Sequence, residues 1–188
     1  MRWKVDANKL ILELAAMQHN KLHNYIVPGV TSSLIGGGEH GKVRLFHATR
    51  QARDWVTPHS HRFNFTALVL AGNAHNTLFD RTAGGGGDEW CLSSIDQVCG
   101  ADGLRDYCHT RDTEPTRYTQ FTRTYEAGDT YSMTHEEIHS VVFEKGTVVL
   151  FFEGPQVTST SVMLEPWVNG KCLPTFKTED WMFEKDAP

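Results

Sequence analysis

The segment Thr57-Pro58-His59-Ser60-His61 sets two histidines at i and i+2, a spacing that on a β-strand turns both rings to one face. Two imidazoles on one face suit a single first-row metal ion, because neutral imidazole matches the intermediate softness of such ions. A His-x-His pair alone is a weak signal of a metal site. Other groups able to do chemistry are scattered along the chain. His135, beside Glu136 and Glu137, reads as an acid/base group or as a solvated turn residue. Tyr131 is a second catalytic candidate, and Glu153 is a further group able to give or take a proton. Arg44, Arg53 and Arg123 are candidates to bind a substrate carboxylate through the guanidinium fork, whereas Arg62 should point away from the rings by alternation. His75 is a candidate to line a cavity, against the alternative of a surface histidine at a hairpin end. His19 and His23, at helical i and i+4 spacing, lack a third partner.

The elements that must position these groups are mainly β. Val, Leu, Phe and Thr cluster in short runs after Lys42, such as KVRLFHA, FTALVLAG, HNTLFD, RYTQFTRTY, HSVVFE, TVVLFFEG and SVMLEPW. Runs at this density predict an antiparallel sandwich or barrel over about 42–168. Gly72-Asn73 and Lys145-Gly146 are expected hairpin turns. Apolar spacing at Leu10, Leu14, Met17 and Leu22 predicts one amphipathic helix over about 6–24, closed by Pro28 and Gly29. Residues of about 81–116, with four consecutive glycines, three cysteines and many charges, read as an inserted lid-like loop with a short helix near Asp88 to Val98. The glycine run lacks the Gly-Lys-Ser/Thr ending of a phosphate loop.

The histidine pair resembles the first motif of the cupin superfamily: His-x-His, three or four residues, Glu, six residues, Gly. Counting from His61, Phe65 stands at the Glu position and Gly72 at the closing glycine, while Arg53 replaces the leading glycine. The second motif is Gly, five residues, Pro-x-Gly, two residues, His. Gly128 opens it here, Thr134 and Glu136 replace the Pro and Gly, and His139 falls on the His, with His135 as its rival. The resemblance covers about Thr57 to Pro155. It implies a mainly all-β, cupin-type antiparallel barrel (a double-stranded β-helix or jelly roll), with His59, His61 and His139 holding one divalent ion.

Most metal cupins add a carboxylate ligand, so Phe65 implies an all-histidine face and joins the candidate substrate-binding residues. That face resembles thiol dioxygenases and certain ring-cleaving dioxygenases among the cupins. The resemblance implies Fe(II) first, with zinc, manganese or nickel as alternatives, and a small, anionic thiol or ring substrate. The Ser-x-His-x-Tyr arrangement of thiol dioxygenases is absent from TVVLFFEGPQV. Alternative functions are a non-catalytic cupin that captures a small metabolite or signal, and a zinc or manganese isomerase or lyase.

The 188 residues fit a single domain, 1–188. Hydrophobic residues at 39%, charged residues at 22% and a net charge of -5 are those of an ordinary globular protein and tell against nucleic acid as a partner. Apolar runs are too short to span a membrane, and the first residues lack a secretory signal, so a cytoplasmic address is expected. The expected partners are a small-molecule substrate and, as a candidate, a second copy of the chain. Cys91, Cys99, Cys108 and Cys172 are spaced too widely for a zinc knuckle, and free thiols are expected.

Overall fold

A computed structural model of the chain describes residues 21–22, 29–38, 41–53, 58–84, 86–99, 105–112 and 114–173. Two antiparallel sheets account for most of them. The first has the order β1 (Lys21–Leu22), β2 (Val30–Gly38), β3 (Gly41–Ala48), β12 (Val148–Gln156), β5 (Phe63–Ala71), β10 (Thr130–Met133). The second runs β14 (Lys171–Cys172), β13 (Thr160–Val168), β7 (Asp88–Cys99), β9 (Thr116–Tyr125), β6 (Ala74–Arg81), β11 (Ile138–Phe143), β4 (Ala52–Arg53), with β8 (Arg105–Arg111) paired to β7. Within this, β3-β12-β5-β10 and β4-β11-β6-β9 are the two four-stranded sheets of a double-sheet jelly roll. The fold is therefore the mainly all-β, cupin-type barrel that the sequence implied.

Strand alternation builds the core. Phe65, Ala67 and Val69 on β5, Val149 and Phe151 on β12, and Val141 and Phe143 on β11 are buried between the sheets. Polar neighbours such as Asn64 and Thr66 face out. Gly72 sits in the β5–β6 hairpin turn at φ 69°, where a Cβ would fall 2.8 Å from the Thr147 Cα. Only glycine fits there without displacing backbone. Lys145-Gly146 turns β11 into β12, as expected.

The expected lid-like loop is corrected by the structure. Asp88–Cys99 and Arg105–Arg111 are strands, and the short helix near Asp88 to Val98 is part of β7. Their residues alternate in a way that the charges and glycines masked: Trp90 and Leu92 face a second core, while Cys91 and Ser93 turn to the other side. The segment Pro58–Ser60 bonds to both β11 and β13. His59 N donates to His139 O at 2.9 Å, Ser60 N to Val162 O at 2.9 Å, and Leu164 N to Pro58 O at 2.8 Å. These bonds close the second sheet into a ring around Phe79, Tyr118, Ile138 and Leu164. The ring is an annex on the jelly roll.

Cys91 and Cys172 form a disulfide, which corrects the expectation of four free thiols; β14 folds back on β13 and carries Cys172 to β7. The N-terminal helix expected over 6–24 lies outside the described residues except at Lys21 and Leu22, which pair as a strand with Ser33 and Ser32. Among the described residues, no helix is long and apolar enough to cross a membrane.

Candidate metal centre

His59 and His139 are opposed in an isolated β-bridge, so their side chains leave the same face of the second sheet. His61 follows at i+2 where the chain crosses toward β5. The three rings stand 5.0 to 5.2 Å apart, centroid to centroid. Their ligating nitrogens all lie within 4.8 Å of one another. His61 Nε2 and His139 Nε2 approach to 2.9 Å, the separation of neighbouring ligands on one ion at bond lengths of about 2.0–2.1 Å. A shared proton or a cation satisfies that approach, and the third imidazole converging on it fits the cation. The donor set accepts a divalent ion.

Burial keeps His61 and His139 in their neutral form. His139 is held well below the usual histidine range, first by burial and then by its neighbours His59 and His61. His61 is lowered as well, first by burial, then by His59 and Arg62. His139 Nδ1 donates to Asn76 Oδ1 at 2.7 Å, which leaves Nε2 with its lone pair free for a ligand bond. Asn76 is 2% exposed and its amide also donates to Met133 Sδ at 3.5 Å. The sequence reading missed this residue. Its signal was a polar side chain between inward Ala74 and Leu78, on the strand that pairs with His139.

Aromatic rings close the site on the opposite sheet. The Phe65 ring lies 4.9 Å from His61 and 5.7 Å from His139, so the usual carboxylate position carries an apolar wall. Phe63 stands 5.3 Å from His61, and Phe151 stands 4.5 Å from Phe65. Tyr131 is buried behind Phe65, at 6.1 Å, and stacks on Tyr125 at 4.5 Å.

The remaining candidates are placed as follows. Arg44 is largely buried and its Nε donates to Glu153 Oε1 at 2.7 Å. His135 sits on the turn before β11, where its backbone N donates to Asn64 Oδ1 at 2.8 Å, outside the histidine cluster. His139, not His135, is the third member. His75 does not line the cavity: alternation puts it on the outer face, where it meets Thr124 Oγ1 and Glu144 Oε1, each at 2.9 Å. Arg123 is exposed, with its guanidinium 5.2 Å above the Phe121 ring. The Arg53 backbone lies in β4 opposite Val142. Arg62 donates to the Ser159 and Ile95 carbonyls, as an outward residue should. A groove of about 720 Å³ is lined by Val43, Asn64, Phe65, Thr66, Phe152 and Glu153, with none of the three histidines in its lining.

A second polar cluster, in the annex, went unnoticed in the sequence. Glu165 is fully buried; its Oε2 accepts from Ser93 Oγ at 2.7 Å and from Arg111 Nε, and its Oε1 accepts from Arg111 Nη2 at 2.9 Å. The hydrogen bond to Glu165 raises the Arg111 pKa and keeps the guanidinium charged.

No family model and no curated protein sequence matches the chain. Among solved structures, it is similar to an RmlC-like cupin from Shewanella frigidimarina, at 13% identity and a TM-score of 0.44, covering 76% of this chain and 89% of that one. It is also similar to an acetylacetone dioxygenase from Acinetobacter johnsonii, at 12% identity and a TM-score of 0.40, covering 83% and 78%. A third is a hydroquinone 1,2-dioxygenase in complex with Cd2+ and 4-hydroxybenzonitrile, at 13% identity and a TM-score of 0.38, covering 92% and 87%. Likenesses this remote carry nothing about activity. The sheet order defines the fold, and the histidine geometry defines the site.

Proposed function

We propose that the chain is a mononuclear metal enzyme, a non-haem Fe(II) dioxygenase acting on a small, anionic thiol or ring molecule. The observation that carries this reading is the convergence of three imidazole nitrogens within 4.8 Å, with Phe65 in place of a carboxylate. Three neutral ligands leave the charge of a divalent ion uncompensated, so an anion is the natural complement. A ferrous ion, which His59, His61 and His139 would hold, would supply Lewis acidity and one-electron chemistry. The chain's own residues do the rest. Asn76 fixes the His139 ring, and Phe63, Phe65 and Phe151 exclude water and present an apolar surface to a ring or alkyl body. The alternatives are a zinc or manganese isomerase or lyase, and a non-catalytic protein that captures a small metabolite or signal.

The test is to purify the protein without added metal and measure bound metals and oxygen uptake on a panel of thiols and diphenols. One iron per chain with substrate-dependent oxygen uptake supports the dioxygenase. Stoichiometric zinc without uptake favours the other chemistries. Unchanged metal content in both His59→Ala and His139→Ala would sink the site itself. A cytoplasmic address belongs to the same proposal, and the Cys91–Cys172 disulfide weighs against it, since such bonds persist in oxidising compartments.

A further inference from the structure

The register puts a charged pair on the inner wall facing the histidines. Glu153 on β12 is opposite Phe65 on β5, and Arg44 on β3 is opposite Phe151 on β12. Opposed residues share a face, so Glu153, Arg44, Phe65 and Phe151 all point into the barrel. Phe65 and Phe151 belong to the core between the sheets, and their rings stand 4.9 and 6.5 Å from His61. The carboxylate is therefore placed beside the aromatic wall of the metal centre. Side-chain exposure is 11% for Arg44 and 10% for Glu153, although arginine and glutamate are mostly exposed in folded proteins. Arg44 Nε holds Glu153 Oε1 at 2.7 Å, and Arg44 Nη1 reaches Ser32 Oγ at 3.4 Å, so the carboxylate is fixed from one side. Glu153 Oε2 accepts no hydrogen bond from the described residues. Lys42, the other cation paired with Glu153 across the sheet, is exposed.

We propose that Glu153 is the proton acceptor of the site, that Arg44 is its positioning residue, and that the substrate is a molecule that gives up an O–H proton as it binds beside the histidines. This rests on the metal-site reading. In the step, the substrate O–H bond breaks, the proton bonds to Glu153 Oε2, and the electron pair stays on the substrate oxygen. That oxygen becomes the anion which three neutral imidazoles and a divalent ion lack. No proton reaches solvent, so binding near neutral pH is proton-neutral.

The test counts protons. Wild-type protein and Glu153→Gln are loaded with zinc, which is redox-inert, and titrated with catechol by calorimetry at pH 7 in two buffers of different ionisation enthalpy. Glutamine keeps an oxygen for Arg44 and cannot take the proton. The expected result is no proton released by the wild type and one released per catechol by Glu153→Gln, with affinity in the variant rising about tenfold per pH unit. Glu153→Asp, which keeps a carboxylate, should again release none. One proton released by both proteins, or no catechol binding by zinc-loaded wild type, overturns the inference while the metal site stands. Failure of the wild type to hold zinc, with His59→Ala as control, overturns the metal-site reading and this inference with it.

Discussion

The jelly-roll core and the annex solve the problem of buried polar groups in opposite ways. In the annex, Glu165 is fully buried, and both its oxygens are taken up by Ser93 and the Arg111 fork. Its charge is cancelled where it sits, which is how a buried carboxylate avoids a large desolvation cost. In the jelly-roll core, three imidazoles bring their ligating nitrogens within 4.8 Å of one another, with Asn76 holding His139 and phenyl rings packed beside His61. The annex cluster cancels its own charge, whereas the histidine cluster brings together three groups able to hold a cation.

That contrast can be broken most severely at His139. His139→Ala should reduce bound metal from about one ion per chain to near zero, read by elemental analysis, while the barrel's circular dichroism persists. A variant that still holds stoichiometric metal would show that the three rings do not act as one site. Next in size, Glu165→Ala strands the Arg111 charge and should cost roughly 3–5 kcal/mol of stability in urea melts, toward the lower end because Arg111 is partly exposed. Metal content per folded chain should not change. A loss of metal there would mean that the two regions are coupled rather than separate.

A smaller effect is expected at Asn76, which works through His139. Asn76→Ala should weaken metal affinity by about 10- to 100-fold, or about 1.4–2.8 kcal/mol, in a chelator competition. Unchanged affinity would remove the ring-orienting role. The smallest effect concerns pH in the metal-free protein. His61 and His139 have folded pKa values below their ordinary 6.5, so the unfolded chain binds more protons as the pH drops below that value. The stability linked to them is fully present above about pH 6.5 and is lost as pH falls toward the folded values. The melting temperature should therefore decline from pH 7 to pH 5, and His139→Ala should flatten that decline. Arg111 stays charged throughout this window, so the annex pair should not contribute to it.

Much of the site was legible because strand alternation is a local property. His59 and His61 had to share a face at i and i+2, Arg62 had to leave it, and Phe65 had to stand inward beside them. The same rule applied to His75 was uncertain without knowing which of its neighbours faced the core. Ala74 and Asn76 turned out to be the inward pair. The region of about 81–116 misled for a different reason. Its glycines and charges resemble a loop, although β7 and β8 pair within it and β7 pairs further with β9 and β13 beyond it.

The sequence by itself thus determined the β character of the chain, the paired histidines and the missing carboxylate at Phe65. Tertiary structure decided what those local facts could not. It chose His139 over His135 by opposing it to His59, set Asn76 against the His139 ring, and brought Arg44 to Glu153 across 109 residues. It also sealed Arg111 to Glu165 and joined Cys91 to Cys172. The physical reason is the same in each case: which face a residue takes follows from its neighbours two positions away, but what it meets there depends on strand register. Register is set by hydrogen bonds between segments far apart in the chain.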